Sequence, residues 1–112
     1  MASVVIGNKS AVLSVVVEAE LLVYPLRHSG VELLDLIQAL ITHPSITIVD
    51  VDRQIARYAA SVRANYNLTL MDSIVVSTAV LSECDVLVGN DKACAQRVTE
   101  IPYIYLEEAV KA

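Results

Sequence analysis

Short runs of valine, leucine and isoleucine alternate along this chain with longer segments that carry polar residues at helical spacing. Residues 11–16, Ala-Val-Leu-Ser-Val-Val, are short and rich in valine, which is typical of a strand buried on both faces. Between residues 31 and 42 the polar residues recur every three or four positions, which indicates a helix with one narrow polar stripe. This alternation predicts an α/β fold with a parallel sheet.

Breakers and caps define the limits of these segments. Pro25 is expected to end or kink the helix that contains it, and Asp50 and Asp52 are candidate N-caps. Residues 72–83 look locally like a strand, but their length without Gly or Pro favours a buried helix. The helix at residues 31–42 is expected to be mostly covered by protein. The predicted strands are residues 11–16, 46–49, 85–89 and about 103–106, and the predicted helices are residues 17–24, 31–42, 53–65, 72–83 and 92–98.

The composition limits the class of protein. The 112 residues suffice for one domain, and 55% of them are hydrophobic, which excludes a disordered chain. The longest apolar stretch, residues 11–24, is interrupted by one serine and two glutamates, so no membrane span is expected. The two cysteines match neither a zinc site nor a disulfide framework. The net charge of -5 argues against a protein that binds nucleic acid through its overall charge alone. We therefore predict a soluble cytoplasmic domain.

Carboxylates are the side chains most able to form a site in this chain. There is no glycine-rich phosphate loop and no nucleophile elbow, and Cys84 stands between two acids, which would raise its pKa. Glu20 falls in an apolar helix, Asp72 opens a buried helix, and Asp91 follows a strand. Acids gathered at one edge of a parallel sheet would need a divalent cation such as Mg²⁺ or Mn²⁺. Taken singly, the two aspartates are better explained as helix caps, and Glu20 as part of a solvated face.

Three segments, taken in order, resemble sequence blocks of PIN domains, the nucleases found as the toxin of VapBC toxin–antitoxin pairs. Residues 14–26, Ser-Val-Val-Val-Glu-Ala-Glu-Leu-Leu-Val-Tyr-Pro-Leu, resemble the second block. Residues 70–79, Leu-Met-Asp-Ser-Ile-Val-Val-Ser-Thr-Ala, resemble the third block, and residues 85–92, Asp-Val-Leu-Val-Gly-Asn-Asp-Lys, the fourth. Residues 52–64 are similar to the helix that precedes the third block. The resemblance runs from about residue 11 to residue 106 and covers most of the chain.

The resemblance implies a three-layer α/β/α fold with a mainly parallel central sheet, and a Mg²⁺- or Mn²⁺-dependent endonuclease that acts on RNA. It maps the family's metal-binding acids to Glu20, Asp72 and Asp91, with Asn90 as a group that orients them. It also implies an antitoxin protein as a partner.

Two departures from the family pattern bear on the activity. Gly89 stands where the family usually has a Thr or Ser hydroxyl near the site. PIN domains begin with a strand that ends in the first catalytic Asp, whereas nothing before Glu18 is acidic in this chain. We therefore expect a single domain over residues 1–112 that lacks the family's first strand and first helices and is impaired as an enzyme.

The missing strand would affect the fold as well as the chemistry. Because the family's first strand is the middle of its sheet, its loss would leave N–H and C=O groups unpaired in the interior. Three outcomes are open: residues 3–6 act as a substitute strand, a second chain donates a strand in a homodimer, or the fold is only marginally stable.

Two functions are compatible with these residues. The first is a PIN-type ribonuclease, in which Arg53, Arg57 or Lys92 could hold phosphate, although surface charge is their more ordinary role. The second is a non-catalytic module that binds an antitoxin-like protein through its apolar helices. A receiver-like domain also gathers acids around Mg²⁺, but the adjacent pair of acids that it requires after its first strand is not present in this sequence.

Overall fold

The computed structural model describes residues 4–7, 10–28, 30–89 and 97–105. The strands form one five-stranded sheet in the order β3-β2-β1-β4-β5. The α/β fold predicted from the alternating pattern is confirmed. In chain order the elements are β1 (Val4–Gly7), β2 (Ser10–Ser14), α1 (Val15–Arg27), α2 (Val31–Ile41), β3 (Ile46–Val49), α3 (Arg53–Tyr66), α4 (Leu70–Leu81), β4 (Leu87–Gly89) and β5 (Tyr103–Tyr105).

The sheet is parallel except for its central strand. β2 pairs in parallel with β3, and β4 pairs in parallel with β5. β1 lies between β2 and β4 and runs antiparallel to both. Since β2 and β4 are both antiparallel to β1, they run in the same direction, and β1 alone in this sheet is reversed.

β1 supplies the strand that the centre of the sheet was expected to lack. Val5 pairs with Val12 of β2 on one side and with Leu87 of β4 on the other. A substitute strand from the beginning of the chain is therefore the outcome found among the three that the sequence left open. The homodimer stays a prediction, but the centre of the sheet no longer requires one.

Helix α4 forms in a segment whose local sequence looks like a strand, as predicted from its length. Its buried hydroxyls donate to carbonyl oxygens one turn earlier: Ser77 Oγ to Ser73 O at 2.7 Å, and Thr78 Oγ1 to Ile74 O at 2.8 Å. Because the helix satisfies these polar groups internally, burial overrides the preference of its valines for strands. The buried residues of α4 are Ser73, Val75, Val76, Ser77, Thr78 and Ala79.

Helix α1 is longer than predicted at both ends. Ser14 is its N-cap, because the Ser14 hydroxyl oxygen accepts the backbone N–H of Val16 at 3.3 Å. The helix continues past Pro25 to Arg27, so of the two effects expected of this proline, an end or a kink, the end is wrong. Pro25 lies in the last turn, where its missing N–H removes one hydrogen bond and leaves the earlier turns intact.

Helix α2 is the element on which the sequence analysis was wrong about burial. It packs against α1 and β3, and among its residues Ile37 alone is buried. Val31, Leu36 and Leu40 are 68%, 67% and 49% exposed. Two neighbouring elements cover only one side of a helix that is apolar on several sides, so apolar side chains face outward.

One apolar core joins the sheet to the helices. α3 and α4 pack along each other, and α4 also contacts β2 and α1. No helix in the described ranges is long and apolar enough to cross a membrane. The buried core cluster consists of Leu13, Val17, Val62, Leu68, Val75, Val76, Ala79, Leu87, Val98 and Ile101.

Proline at the centre of the sheet tests the role of β1. Val5→Pro removes an N–H between two paired strands, so we expect the free energy of unfolding to fall by about 1 to 3 kcal/mol. Val5→Thr keeps the N–H and a β-branched side chain, and serves as the control. Urea denaturation of both variants measures the difference. Equal midpoints for Val5→Pro and Val5→Thr would show that β1 does not pair at the centre.

Candidate functional site

Glu20 lies in the second turn of α1, close to the end of β2. Ser14 is both the last residue of the strand and the cap of the helix, so the chain passes from the sheet into α1 without a loop. The Glu20 side chain is half-buried and its Oε2 atom is fully buried. Withdrawing a carboxylate oxygen from water is costly unless hydrogen bonds, a proton or a cation compensate. A fully solvated position does not explain this residue.

Asp72 is the third residue of α4 and is half-buried. The cap of this helix is Thr69, whose Oγ1 accepts the backbone N–H of Asp72 at 3.2 Å. The explanation of Asp72 as the N-cap is therefore wrong, because a neighbouring hydroxyl makes that bond. A carboxylate in the first turn still interacts favourably with the helix dipole.

The two acids lie on helices that touch each other. α1 and α4 are in contact, and Val17 of α1 and Val76 of α4, which are both fully buried, belong to the same core cluster. The structure thus places Glu20 and Asp72 on neighbouring helices, each partly withdrawn from solvent. Hard carboxylate oxygens held in this way suit a divalent cation.

The third predicted acid falls outside the described residues. Asp91, together with Asn90 and Lys92, follows directly after Gly89, the last residue of β4. Within the described ranges, no group of three or more His, Cys, Asp and Glu side chains is placed to hold a metal ion. The set of three acids therefore stays a prediction.

The central strand carries no acid. Residues 4–7 are Val-Val-Ile-Gly, and the register of Val4 with Val88 puts the beginning of β1 beside the end of β4. Because β1 runs in the opposite direction, it begins at the edge of the sheet where the other four strands end. The resemblance implies an Asp at that edge, and β1 does not provide one.

The cysteine and the two histidines that the structure describes have the non-catalytic surroundings expected from the sequence. Burial, and then the charge of Asp85, raises the pKa of the Cys84 thiol, so the prediction that this thiol is a poor nucleophile is supported. His28 is exposed and its ring lies 4.3 Å from that of Tyr24. His43 is exposed and its Nδ1 accepts the backbone N–H of Ser45 at 3.0 Å.

An exposed apolar surface lies on α1 and α2, where the sequence predicts apolar helices but also predicts that α2 is mostly covered. We call it the α1–α2 surface. It includes an open groove of about 450 Å³ lined mainly by Leu36, Ile37, Ala39 and Leu40. The signal that could have found it is the narrowness of the polar stripe on α2. The exposed residues that define the surface are Val23, Tyr24, Leu26, Val31, Leu36 and Leu40.

Comparisons with known proteins agree with this architecture. The family model described as PIN domain matches residues 3–100. Among solved structures, the chain is similar to one described as a toxin-antitoxin complex from Klebsiella pneumoniae, with a TM-score of 0.63 and 20% identity. The match covers 80% of this chain and 72% of that chain. At this identity the likeness concerns the fold. No curated protein matches the chain.

Removing the cap of α4 tests how the site is built. Thr69→Ala deletes the acceptor for the Asp72 N–H, and we expect it to lower the free energy of unfolding by about 1 kcal/mol. Thr69→Ser keeps the hydroxyl and should remain within a few tenths of a kcal/mol of the unchanged protein. Thermal or urea unfolding measures both variants. A loss of the same size in Thr69→Ser would mean that the methyl group, and not the cap, carries the effect.

Proposed function

Because the chain belongs to the PIN-domain family, we propose that it is a metal-dependent endoribonuclease of the toxin type. It hydrolyses RNA phosphodiesters and acts in the cytoplasm. It consists of a single domain over residues 1–112. The observation that supports this most is the placement of Glu20 and Asp72 on two touching helices, with Glu20 Oε2 buried. Two partly buried carboxylates on neighbouring helices offer hard oxygen donors, which are the ligands that a divalent cation prefers.

The donor set fits a hard divalent cation. Glu20, Asp72 and Asp91 would supply carboxylate oxygens, which are the ligands that Mg²⁺ and Mn²⁺ prefer. Asn90 would orient them by hydrogen bonding. When bound, such an ion lowers the pKa of a water molecule and stabilises the charge that develops on the phosphodiester.

The number of acids at the site sets the expected level of activity. β1, the central strand of the sheet, carries no Asp or Glu, so it adds no fourth acid to Glu20, Asp72 and Asp91. One fewer anionic ligand weakens the attraction for a divalent cation and leaves more of its coordination to water. We therefore propose weak metal binding and slow hydrolysis.

Metal binding by Asp72 is the direct test of the proposed site. We expect Asp72→Asn to weaken Mn²⁺ binding by about tenfold or more, because one anionic ligand becomes neutral. Asp35→Asn, at an exposed position on α2, removes the same charge away from the site and should leave the affinity unchanged. Isothermal titration calorimetry with Mn²⁺ measures both variants, and cleavage of a labelled RNA at millimolar Mn²⁺ is followed in parallel.

Two results would count against the enzyme. Unchanged Mn²⁺ affinity in Asp72→Asn would remove Asp72 from the site. Normal Mn²⁺ binding by the unchanged protein with no cleavage of RNA would favour the second candidate function, a module that binds a protein partner.

The α1–α2 surface supports that second candidate. Leu36 and Leu40 lie one turn apart on α2, are 67% and 49% exposed, and line the same groove, and exposed apolar side chains that cluster in this way mark interaction sites. The structural relative is described as a toxin-antitoxin complex. We propose that a protein of antitoxin type covers this surface with an apolar helix face, which suits the shape of an open groove lined by leucines.

A charge placed on the α1–α2 surface tests the partner proposal. Leu36→Glu puts a carboxylate into the groove and should reduce complex formation with a candidate antitoxin protein by about tenfold or more, since the charge would be desolvated on binding. Gln38→Glu adds the same charge at another exposed position of α2 and is the control. Size-exclusion chromatography of the co-expressed pair gives the result.

The same measurement distinguishes the possible occupants. A complex that survives Leu36→Glu would place the partner elsewhere. A homodimer of the unchanged chain that Leu36→Glu converts to a monomer would assign the surface to a second copy and contradict the antitoxin proposal.

A further inference from the structure

A second concave surface lies where the start of α3 meets the end of α4. We call it the arginine groove. It has a volume of about 550 Å³ and is open to solvent. Leu81, the last residue of α4, is nine residues after Asp72, so the groove lies about 13 Å along the helix axis from that acid. The residues that line the arginine groove are Arg53, Gln54, Arg57, Tyr58 and Leu81.

The two arginines of the groove lie at the start of α3, where positive charge destabilises a helix. Arg53 is the first residue of α3 and Arg57 is one turn later, and the first turn of the helix holds no acid. Cations near a helix N-terminus are unfavourable, and like charges four residues apart repel each other. The nearest acid in sequence is Asp52, whose Oδ1 accepts the Ile55 N–H at 2.8 Å as the helix cap. An anion bound in the groove would reduce this repulsion.

The groove also concentrates positive charge in an acidic protein. The chain has eight basic residues against 13 acidic ones. Arg53 and Arg57 both line one groove, although the protein as a whole repels polyanions. Any polyanion that binds here is therefore held by local contacts and not by the overall charge.

The other lining groups fit a nucleotide better than a bare anion. Arginine guanidinium groups bind phosphate through two parallel hydrogen bonds. Tyr58 is half-buried and presents an aromatic ring, and Leu81 adds an apolar side chain beside it. Aromatic rings stack with bases of any sequence.

An acid on the far side of Tyr58 limits where phosphate can lie. Burial, followed by the charge of Glu100 and the neighbouring Tyr66, raises the pKa of Tyr58. Glu100 accepts a hydrogen bond from the Tyr66 hydroxyl, and both line a smaller adjoining cavity with Tyr58. Phosphate is repelled from that side and is directed to the side of the arginines.

We propose that the arginine groove binds single-stranded RNA, with successive phosphates on Arg53 and Arg57 and a base against Tyr58 and Leu81. The inference rests on the proposed function in one respect, since it takes RNA as the substrate. The arginine groove adds an RNA-binding surface at the end of α4 opposite Asp72, so that RNA is retained by contacts that do not involve the acids.

The test measures RNA binding in the absence of metal. The probe is a fluorescein-labelled 12-nucleotide oligouridylate in buffer with EDTA, followed by fluorescence anisotropy at several salt concentrations. We expect Arg53→Gln/Arg57→Gln to bind about tenfold more weakly than the unchanged protein. The slope of log affinity against log salt should fall by about 1.4, the value for two phosphates on a single strand.

A matched control separates the groove from general charge. Arg27→Gln/Arg63→Gln removes the same number of charges from exposed positions in the last turns of α1 and α3, and should bind RNA like the unchanged protein. The melting temperature of the groove variant should be unchanged or higher, because repulsion at the helix start is removed. That result excludes unfolding as the cause of weaker binding.

Four outcomes would overturn the proposal: no RNA binding by the unchanged protein, full binding by the groove variant, an equal loss in the control variant, or displacement of the RNA by oligoglutamate at equal concentration. The last would assign the groove to an acidic polypeptide. Asp72→Asn should bind the probe normally in EDTA, so a failure of the proposed metal site leaves this result intact. If Arg53→Gln/Arg57→Gln loses RNA binding but keeps normal Mn²⁺ affinity, the arginine groove acts independently of the proposed metal site.

Discussion

Backbone hydrogen bonding at the centre of the sheet is the constraint on which the rest of the structure depends. β2 and β4 each need a paired neighbour on their inner side, and β1 fills both needs. Only two residues separate β1 from β2 in sequence, so pairing the two strands costs little chain entropy. Strands separated by so few residues pair antiparallel, because a parallel pair needs a crossover of a dozen or more residues. This explains why one strand is reversed in an otherwise parallel sheet.

Two hydroxyl groups that cap helices determine where Glu20 and Asp72 lie. Ser14 ends β2 and caps α1, which fixes the turn of the helix on which Glu20 stands. Thr69 caps α4 and holds the N–H of Asp72 itself. In both places a polar cap defines where the helix begins, and the phase of the helix then determines which residue faces the neighbouring helix. The position of each acid is therefore a consequence of the strand end or loop that precedes its helix.

The sequence predicts elements well where one physical signal dominates. The length of the α4 segment without Gly or Pro correctly outweighs its valines, because a buried helix satisfies its own hydroxyls. The burial of α2 was predicted wrongly, since periodicity measures the width of a polar stripe and not the number of neighbours that pack on a helix. The cap of α4 was assigned to Asp72 and belongs to Thr69, because Thr and Asp near a helix start are equivalent in pattern. For the site, Glu20 and Asp72 are found on touching helices, Asp91 lies outside the described residues, and the metal site formed by the three acids stays a prediction.

The three surfaces proposed for function depend on different physical properties and can therefore be lost separately. Metal binding depends on the number of carboxylates that the proposed site brings together. The α1–α2 surface depends on apolar area and therefore needs no carboxylate. The arginine groove depends on two guanidinium groups at the start of α3, and its binding weakens with salt but needs no metal. Loss of the proposed metal site would thus leave the two proposed binding surfaces intact, because neither of them includes Glu20 or Asp72.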